Sequence, residues 1–194
     1  PLFQEPGTRP SRRLPYRLET QARRAGEHLV LTFENRGQAG AVFHVYDRRH
    51  LDRIPRRYTV EAGKSLSDTW PVAPSYDLEV FGPNGFYRAF AGGSTVDDLE
   101  LLLDHDARGR LALTLANRSP ALQSLQVRDA YSGAVTELRL KANGRHAKTF
   151  DLTRTGGWYD LSVVADGGLV RRAAGRIEMA SHSISDPAIA AGWR

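Results

Sequence analysis

The densest chemistry in this 194-residue chain lies between Asp47 and Tyr58, where Arg48, Arg49, Arg53, Arg56 and Arg57 follow one another closely. A guanidinium presents a planar fork of N–H donors that matches phosphate or carboxylate oxygens in pairs. With Tyr46 and Tyr58 flanking it and Trp70 further along, the stretch reads as a surface for phosphates or for an acidic protein. An alternative stands beside it. Asp47, Asp52 and Glu61 are close enough in sequence to pair with these arginines. Exposed pairs of that kind contribute little, and the arginines would then merely cap one end of a domain.

Other chemistries lack the residues they need. The chain has no cysteine, which removes disulfides, thiolate nucleophiles and cysteine-bound zinc. His28, His44, His50, His105, His146 and His182 never fall at the His-x-x-x-His or His-x-His spacing that puts two imidazoles on one metal. Asp104 and Asp106 could suggest a calcium pair. The acidic run from Asp97 to Asp106 has no glycine-containing ligand loop, however, and reads as a solvated sheet edge. No Gly-x-Ser-x-Gly elbow offers an activated serine. Gly92-Gly93-Ser94 and Gly167-Gly168 lack the Lys-Ser/Thr and the helix of a phosphate loop, and read as an interdomain joint and a hairpin. No catalytic residue, cofactor or metal is expected.

The formal net charge of +5 is spread thinly: +2 over residues 1–15, +2 over 16–92, +1 over 97–175 and zero over 176–194. No segment is basic enough to imply nucleic acid. Arginine outnumbers lysine 24 to 3, a skew that codon usage in a GC-rich genome explains better than selection for phosphate forks. No apolar run reaches the roughly 18 residues of a membrane helix, and no leader pattern opens the chain. It begins at Pro1 and reads as a piece of a longer protein.

The elements that must position any site come as two copies. Leu29–Arg36 (LVLTFENR) returns as Leu111–Arg118 (LALTLANR), and Tyr76–Val80 (YDLEV) as Tyr159–Val163 (YDLSV). The offsets are 117 − 35 = 82 and 159 − 76 = 83, and Asp47/Asp129 and Gly92/Gly175 keep them. A period of about 80 residues is a small domain and not a solenoid repeat. Within each copy the pattern alternates: Leu29, Leu31 and Phe33 face one way and Val30, Thr32 and Glu34 the other, while Phe43 and Val45 oppose Val42, His44 and Tyr46. Pro83-Asn84-Gly85, Asp166-Gly167-Gly168 and Ser132-Gly133 supply the positive φ angles of tight hairpins.

Short strands at such spacing predict an all-β protein of two tandem antiparallel immunoglobulin-like β-sandwich domains, at 16–92 and 97–175. A linker occupies 1–15 and a tail 176–194, in which Ile184–Arg194 forms a short helix or stays loose. Tyr76 and Tyr159 are expected as corner tyrosines bonded to backbone, and Trp70 and Trp158 as core fillers. The arginine stretch is an insertion confined to the first copy.

Several segments, in order, resemble the carboxy-terminal region of bacterial phosphocholine-specific phospholipases C. They are Gln4–Pro10 (QEPGTRP) with Leu14-Pro15-Tyr16, Gly40–Tyr46 (GAVFHVY), Pro55–Lys64 (PRRYTVEAGK), Tyr76-Asp77-Leu78 and Gly82–Phe86 (GPNGF). The resemblance spans essentially the whole chain, more loosely in the second copy. It implies a parent enzyme that releases phosphocholine from phosphatidylcholine or sphingomyelin and is exported folded by a twin-arginine route to the periplasm or medium. It also implies a phosphatase-like catalytic domain upstream in the same polypeptide as the main partner, with a phospholipid surface as a further one. On that reading this piece is a non-catalytic accessory region. A stand-alone carbohydrate- or protein-binding sandwich is the alternative, and would need an aromatic platform on a sheet face.

Overall fold

A computed structural model describes residues 14–93, 99–106, 110–178 and 184–190. The expected linker, apart from Leu14 and Pro15, the joint at Ser94 and much of the tail lie outside these residues. The first copy contributes β1 (Leu18–Ala25), β2 (His28–Asn35), β3 (Ala41–Asp47), β4 (Arg56–Val60), β5 (Lys64–Pro71), β6 (Ser75–Phe81) and β7 (Tyr87–Gly93). The second contributes β8 (Leu99–His105), β9 (Arg110–Asn117), β10 (Gln123–Asp129), β11 (Val135–Leu140), β12 (Arg145–Asp151), β13 (Trp158–Ala165) and β14 (Val170–Arg176). All pairings are antiparallel. One short helix, α1 (Pro187–Ala190), follows. None of the described helices is long and apolar enough to cross a membrane.

Alternation along the strands becomes burial. Leu29, Leu31 and Phe33 are fully buried, as are Phe43 and Val45, and each such side chain contributes about 1.5–3 kcal/mol by leaving water. Each copy has its own apolar cluster: one around Phe33, Phe43, Leu78 and Trp70, the other around Leu113, Leu125, Leu161 and Val163. The recurring Asn35 and Asn117 owe their place to backbone that needs partners. Both are fully buried. Asn35 Nδ2 donates to Ala39 O (2.7 Å) and Val60 O (3.2 Å), and Asn117 Nδ2 to Ala121 O (2.7 Å) and Leu140 O (3.0 Å). Each asparagine thereby staples a loop over its sandwich.

In the first copy the sheets run β1-β2-β5 and β4-β3-β6-β7, and in the second β8-β9-β12 and β11-β10-β13-β14. The fourth strand therefore hydrogen-bonds the third, whereas constant-type immunoglobulin domains place it beside the fifth. The two four-stranded sheets are not separate. β7 pairs with β14, fusing them into one eight-stranded sheet beneath two separate cores. The register places Ala89 opposite Arg172, Arg88 opposite Ala173 and Phe90 opposite Arg171. With the repeat offset of 83, Ala89 matches Arg172, Arg88 matches Arg171 and Phe90 matches Ala173. The join is thus symmetric about a local dyad between residues 89 and 172, in the manner of an isologous dimer contact. It hides two sheet edges that would otherwise invite pairing with other chains.

Candidate functional site

Asp47 starts the arginine loop by tying down its backbone. Its Oδ1 accepts from Arg49 N (3.0 Å), its Oδ2 lies 2.7 Å from His50 Nδ1, and Arg48 N donates to Asp77 O (2.8 Å). A further turn closes through Arg53 N to His50 O (3.1 Å). The second copy uses the same anchor for a shorter turn: Asp129 accepts from Tyr131 N (3.1 Å) and Ser132 Oγ (2.6 Å), and Ala130 N donates to Asp160 O (2.9 Å). The insertion therefore hangs from a fixture common to both copies.

The loop disperses its arginines. Arg48 lies 3.6 Å from Glu79 on the outer sheet face, beside the Tyr46–Phe81 ring pair (5.6 Å). Arg56 bonds Asp68 (2.8 Å) and stacks 4.0 Å over Trp70. Tyr58 is a core residue, stacked on Phe33 at 4.3 Å, with its hydroxyl 2.5 Å from Asp68. Burial and that carboxylate push the Tyr58 phenol up to about 12. Burial would raise Asp68, but bonds from Tyr58, Thr69 and Arg56 outweigh it and hold the carboxyl below its ordinary value. Arg57 lies opposite His44 on the outer face, and Arg49 donates to Ser75 Oγ.

The carboxylates that sequence proximity suggested are not the ones used. Asp47 is consumed by the loop itself and Glu61 pairs with Lys64 at 2.6 Å, while Glu79 and Asp68 arrive from strands distant in sequence. Arg53 and Arg57 have no ion pair or hydrogen bond from their guanidinium groups among the described residues.

Beneath the loop lies a crevice of about 170 Å³ lined by Asp47, Arg49, His50, Arg53, Trp70 and Ser75, among others. Trp70 is 6% exposed, and its indole N–H has no acceptor among the described residues. At the loop tip Leu51 is 62% exposed and Ile54 85%. Sequence reasoning passed over these two aliphatic residues, although isolated apolar side chains in a charged stretch were a readable signal.

A larger cleft of about 580 Å³ opens between the copies, where β1 and β8 approach. Its charges are matched in place: Arg17 with Asp104 (2.9 Å), Arg88 with Glu19 (2.9 Å) and Arg176 with Glu178 (2.6 Å). Arg88 is 3% exposed and reaches across the dyad to Tyr159 Oη (3.3 Å), while its counterpart Arg171 reaches Tyr76 Oη (3.0 Å). Both tyrosines were expected to bond backbone; the bonds seen here are those their hydroxyls accept from the other copy's arginine. Gly175 is required there, since a Cβ would sit 2.9 Å from Tyr159 Oη. Trp158 corrects another expectation. It is half-buried at the copy boundary, against Gly85, and donates to Ile184 O (3.0 Å). The cleft's arginines each meet a carboxylate and its latches join the two copies, whereas among the described residues the guanidinium of Arg53 beside the crevice meets none. The crevice and its loop are the better candidate.

With this geometry in view, comparison with known proteins is informative. The family model described as bacterial phospholipase C, C-terminal domain, matches residues 10–93 and 98–176. The chain is 41% identical to the non-hemolytic phospholipase C of Burkholderia pseudomallei, over 96% of the chain and 29% of that protein. It is 38% identical to the non-hemolytic phospholipase C of Pseudomonas aeruginosa, over 97% of the chain and 30% of that protein. With the hemolytic phospholipase C of the same organism it shares 31% identity over 95% of the chain and 30% of that protein. The chain thus spans about 30% of the length of these relatives. Among solved structures, red sea bream transglutaminase aligns with 80% of the chain at 14% identity and a TM-score of 0.28, covering 29% of that protein.

Proposed function

Because this chain belongs to the bacterial phospholipase C, C-terminal domain family, we propose that it is the non-catalytic C-terminal region of a secreted phospholipase C. The parent enzyme hydrolyses phosphatidylcholine or sphingomyelin. The two sandwiches, taken as residues 16–92 and 97–175, pack on the phosphatase-like catalytic domain of the same polypeptide and help it meet lipid. Arg48, Arg49, Arg53, Arg56 and Arg57, with Tyr46 and Tyr58, form the proposed surface and its support. The family match over both copies carries this reading. Export to the periplasm or medium by a twin-arginine route belongs to the same proposal.

Removal of this region from the parent enzyme tests it. Turnover on phosphatidylcholine liposomes should fall about tenfold or more while hydrolysis of a water-soluble phosphocholine ester persists, a split expected when surface contact and not chemistry is lost. Equal turnover on liposomes with and without the region would overturn it. One observation favours a second reading: Tyr46, Phe81 and Tyr87 form an aromatic row on the outer sheet face, with ring centroids 5.6 and 5.1 Å apart. Such a platform suits a carbohydrate- or protein-binding module. Glycan-array binding that Phe81→Ser abolishes would support that reading.

A further inference from the structure

The arginine loop combines three features that weak surface pairing does not explain. First, its tip exposes two aliphatic side chains, Leu51 at 62% and Ile54 at 85%, on backbone pinned by Asp47. Second, five arginines against Asp47 and Asp52 leave the segment 47–57 with a charge of 5 − 2 = +3. Neither Arg49 nor Arg53 meets a carboxylate with its guanidinium among the described residues. Third, the crevice behind the tip is lined by Arg49, Arg53, Ser75 and His50, with the buried Trp70 as one wall. The one carboxylate in the lining that touches the loop, Asp47, already has both oxygens engaged.

We propose that this loop is a membrane-surface anchor, in which the crevice bounded by Arg49, Arg53 and Trp70 takes the phosphate of a phospholipid headgroup while Leu51 and Ile54 enter the headgroup–acyl boundary. The proposal rests on the accessory role above and assigns its lipid contact to particular atoms. The complementarity is direct. Phosphate oxygens meet guanidinium forks that face no carboxylate among the described residues, and the adjacent aliphatic tips lose water within the roughly 5–10 Å depth that interfacial segments reach. The second copy, whose loop shrinks to Ser132-Gly133, has no such device. The module therefore meets the bilayer with one end of its first sandwich.

Sedimentation of the full 194-residue chain with phosphatidylcholine vesicles, with and without phosphatidylglycerol, tests this. Leu51→Ser/Ile54→Ser should weaken binding at least about tenfold, since each change removes apolar area from the interface. Arg49→Gln/Arg53→Gln should weaken it about fivefold per arginine, most steeply on anionic vesicles. Millimolar inorganic phosphate should compete with vesicles for the unaltered chain but not for the arginine variant. All four positions are on the loop surface, and circular dichroism verifies that the variants fold. Vesicle binding that survives both pairs of substitutions would overturn the anchor while leaving the accessory role standing. Loss with the aliphatic pair but not the arginine pair would overturn the phosphate crevice. No vesicle binding by the unaltered chain would overturn the anchor and the lipid contact it rests on.

Discussion

Arg88 and Arg171 occupy dyad-related positions on paired strands, and among the described residues only Arg88 meets a carboxylate. Arg88, 3% exposed, meets Glu19 at 2.9 and 3.2 Å and also bonds Tyr87 O and Ala174 O. Arg171, 2% exposed, has Tyr76 Oη, Ala91 O and Val170 O, and its Nε has no partner among the described residues. The residue matching Glu19 by strand pairing is Glu100, which faces solvent-side Arg118 instead, at 2.9 Å. One copy buries an ion pair. The other holds a guanidinium among carbonyl dipoles and a phenol. The lesson is that the sheet join needs the donor fork at both positions, whereas the countercharge is optional.

Breaking the two positions separately measures this difference. Arg88→Met should cost about 3–5 kcal/mol in urea unfolding, because it strands Glu19, whose side chain is only 13% exposed. Arg88→Met/Glu19→Leu should recover most of that loss, since an apolar pair of similar volume replaces a buried ion pair at little cost. Arg171→Met should cost about 1–2 kcal/mol, the scale of lost hydrogen bonds with no charge left behind. Equal losses at the two positions would refute the role given to Glu19. Tyr159→Phe should cost about 0.5–1.5 kcal/mol by removing the acceptor for Arg88.

The smallest effect is the pH dependence of one pair that belongs to the first copy. Tyr58 and Asp68 are replaced at the matching ladder positions by Leu138 and Lys148. Since Tyr58 is raised to about 12, its contribution is whole below the unfolded phenol value of about 10. That contribution is lost as pH rises through about 12. Asp68 is held low, so its contribution is present above the unfolded carboxyl value of about 4 and fades as acid protonates the folded group. Thermal melts across pH should show a shallower alkaline slope in Tyr58→Phe and a shallower acid one in Asp68→Asn.

Much of this was legible before any coordinates. Two-residue alternation exposed the strands and cores, because a half-buried sheet needs one apolar face; the glycine and asparagine turns followed from the positive φ that Asn84 (58°), Gly133 (71°) and Gly167 (81°) adopt. The repeated Asn and Asp were visible as matches, but their work as loop staples was not. The partners of Arg48 and Arg56 were misread because sequence proximity favoured Asp52 and Glu61, while the ladder brought in Glu79 and Asp68. The loop's arginines were legible as a charged stretch; Trp70 and Ser75 as walls of one crevice were not, since they come from separate strands.

Local periodicity and repetition are written residue by residue, so the chain alone determined that there are two β copies, where each turns, and that one carries an arginine insertion. Which edges meet is a contest among distant surfaces. Only the tertiary structure decided that β7 would pair with β14, that two tyrosines would trade arginines across a dyad, and that Arg49 and Arg53 would line one crevice with a buried indole and, among the described residues, meet no carboxylate. The reason is geometric: the energy of each such contact depends on groups separated by dozens of residues, and no local pattern records their meeting.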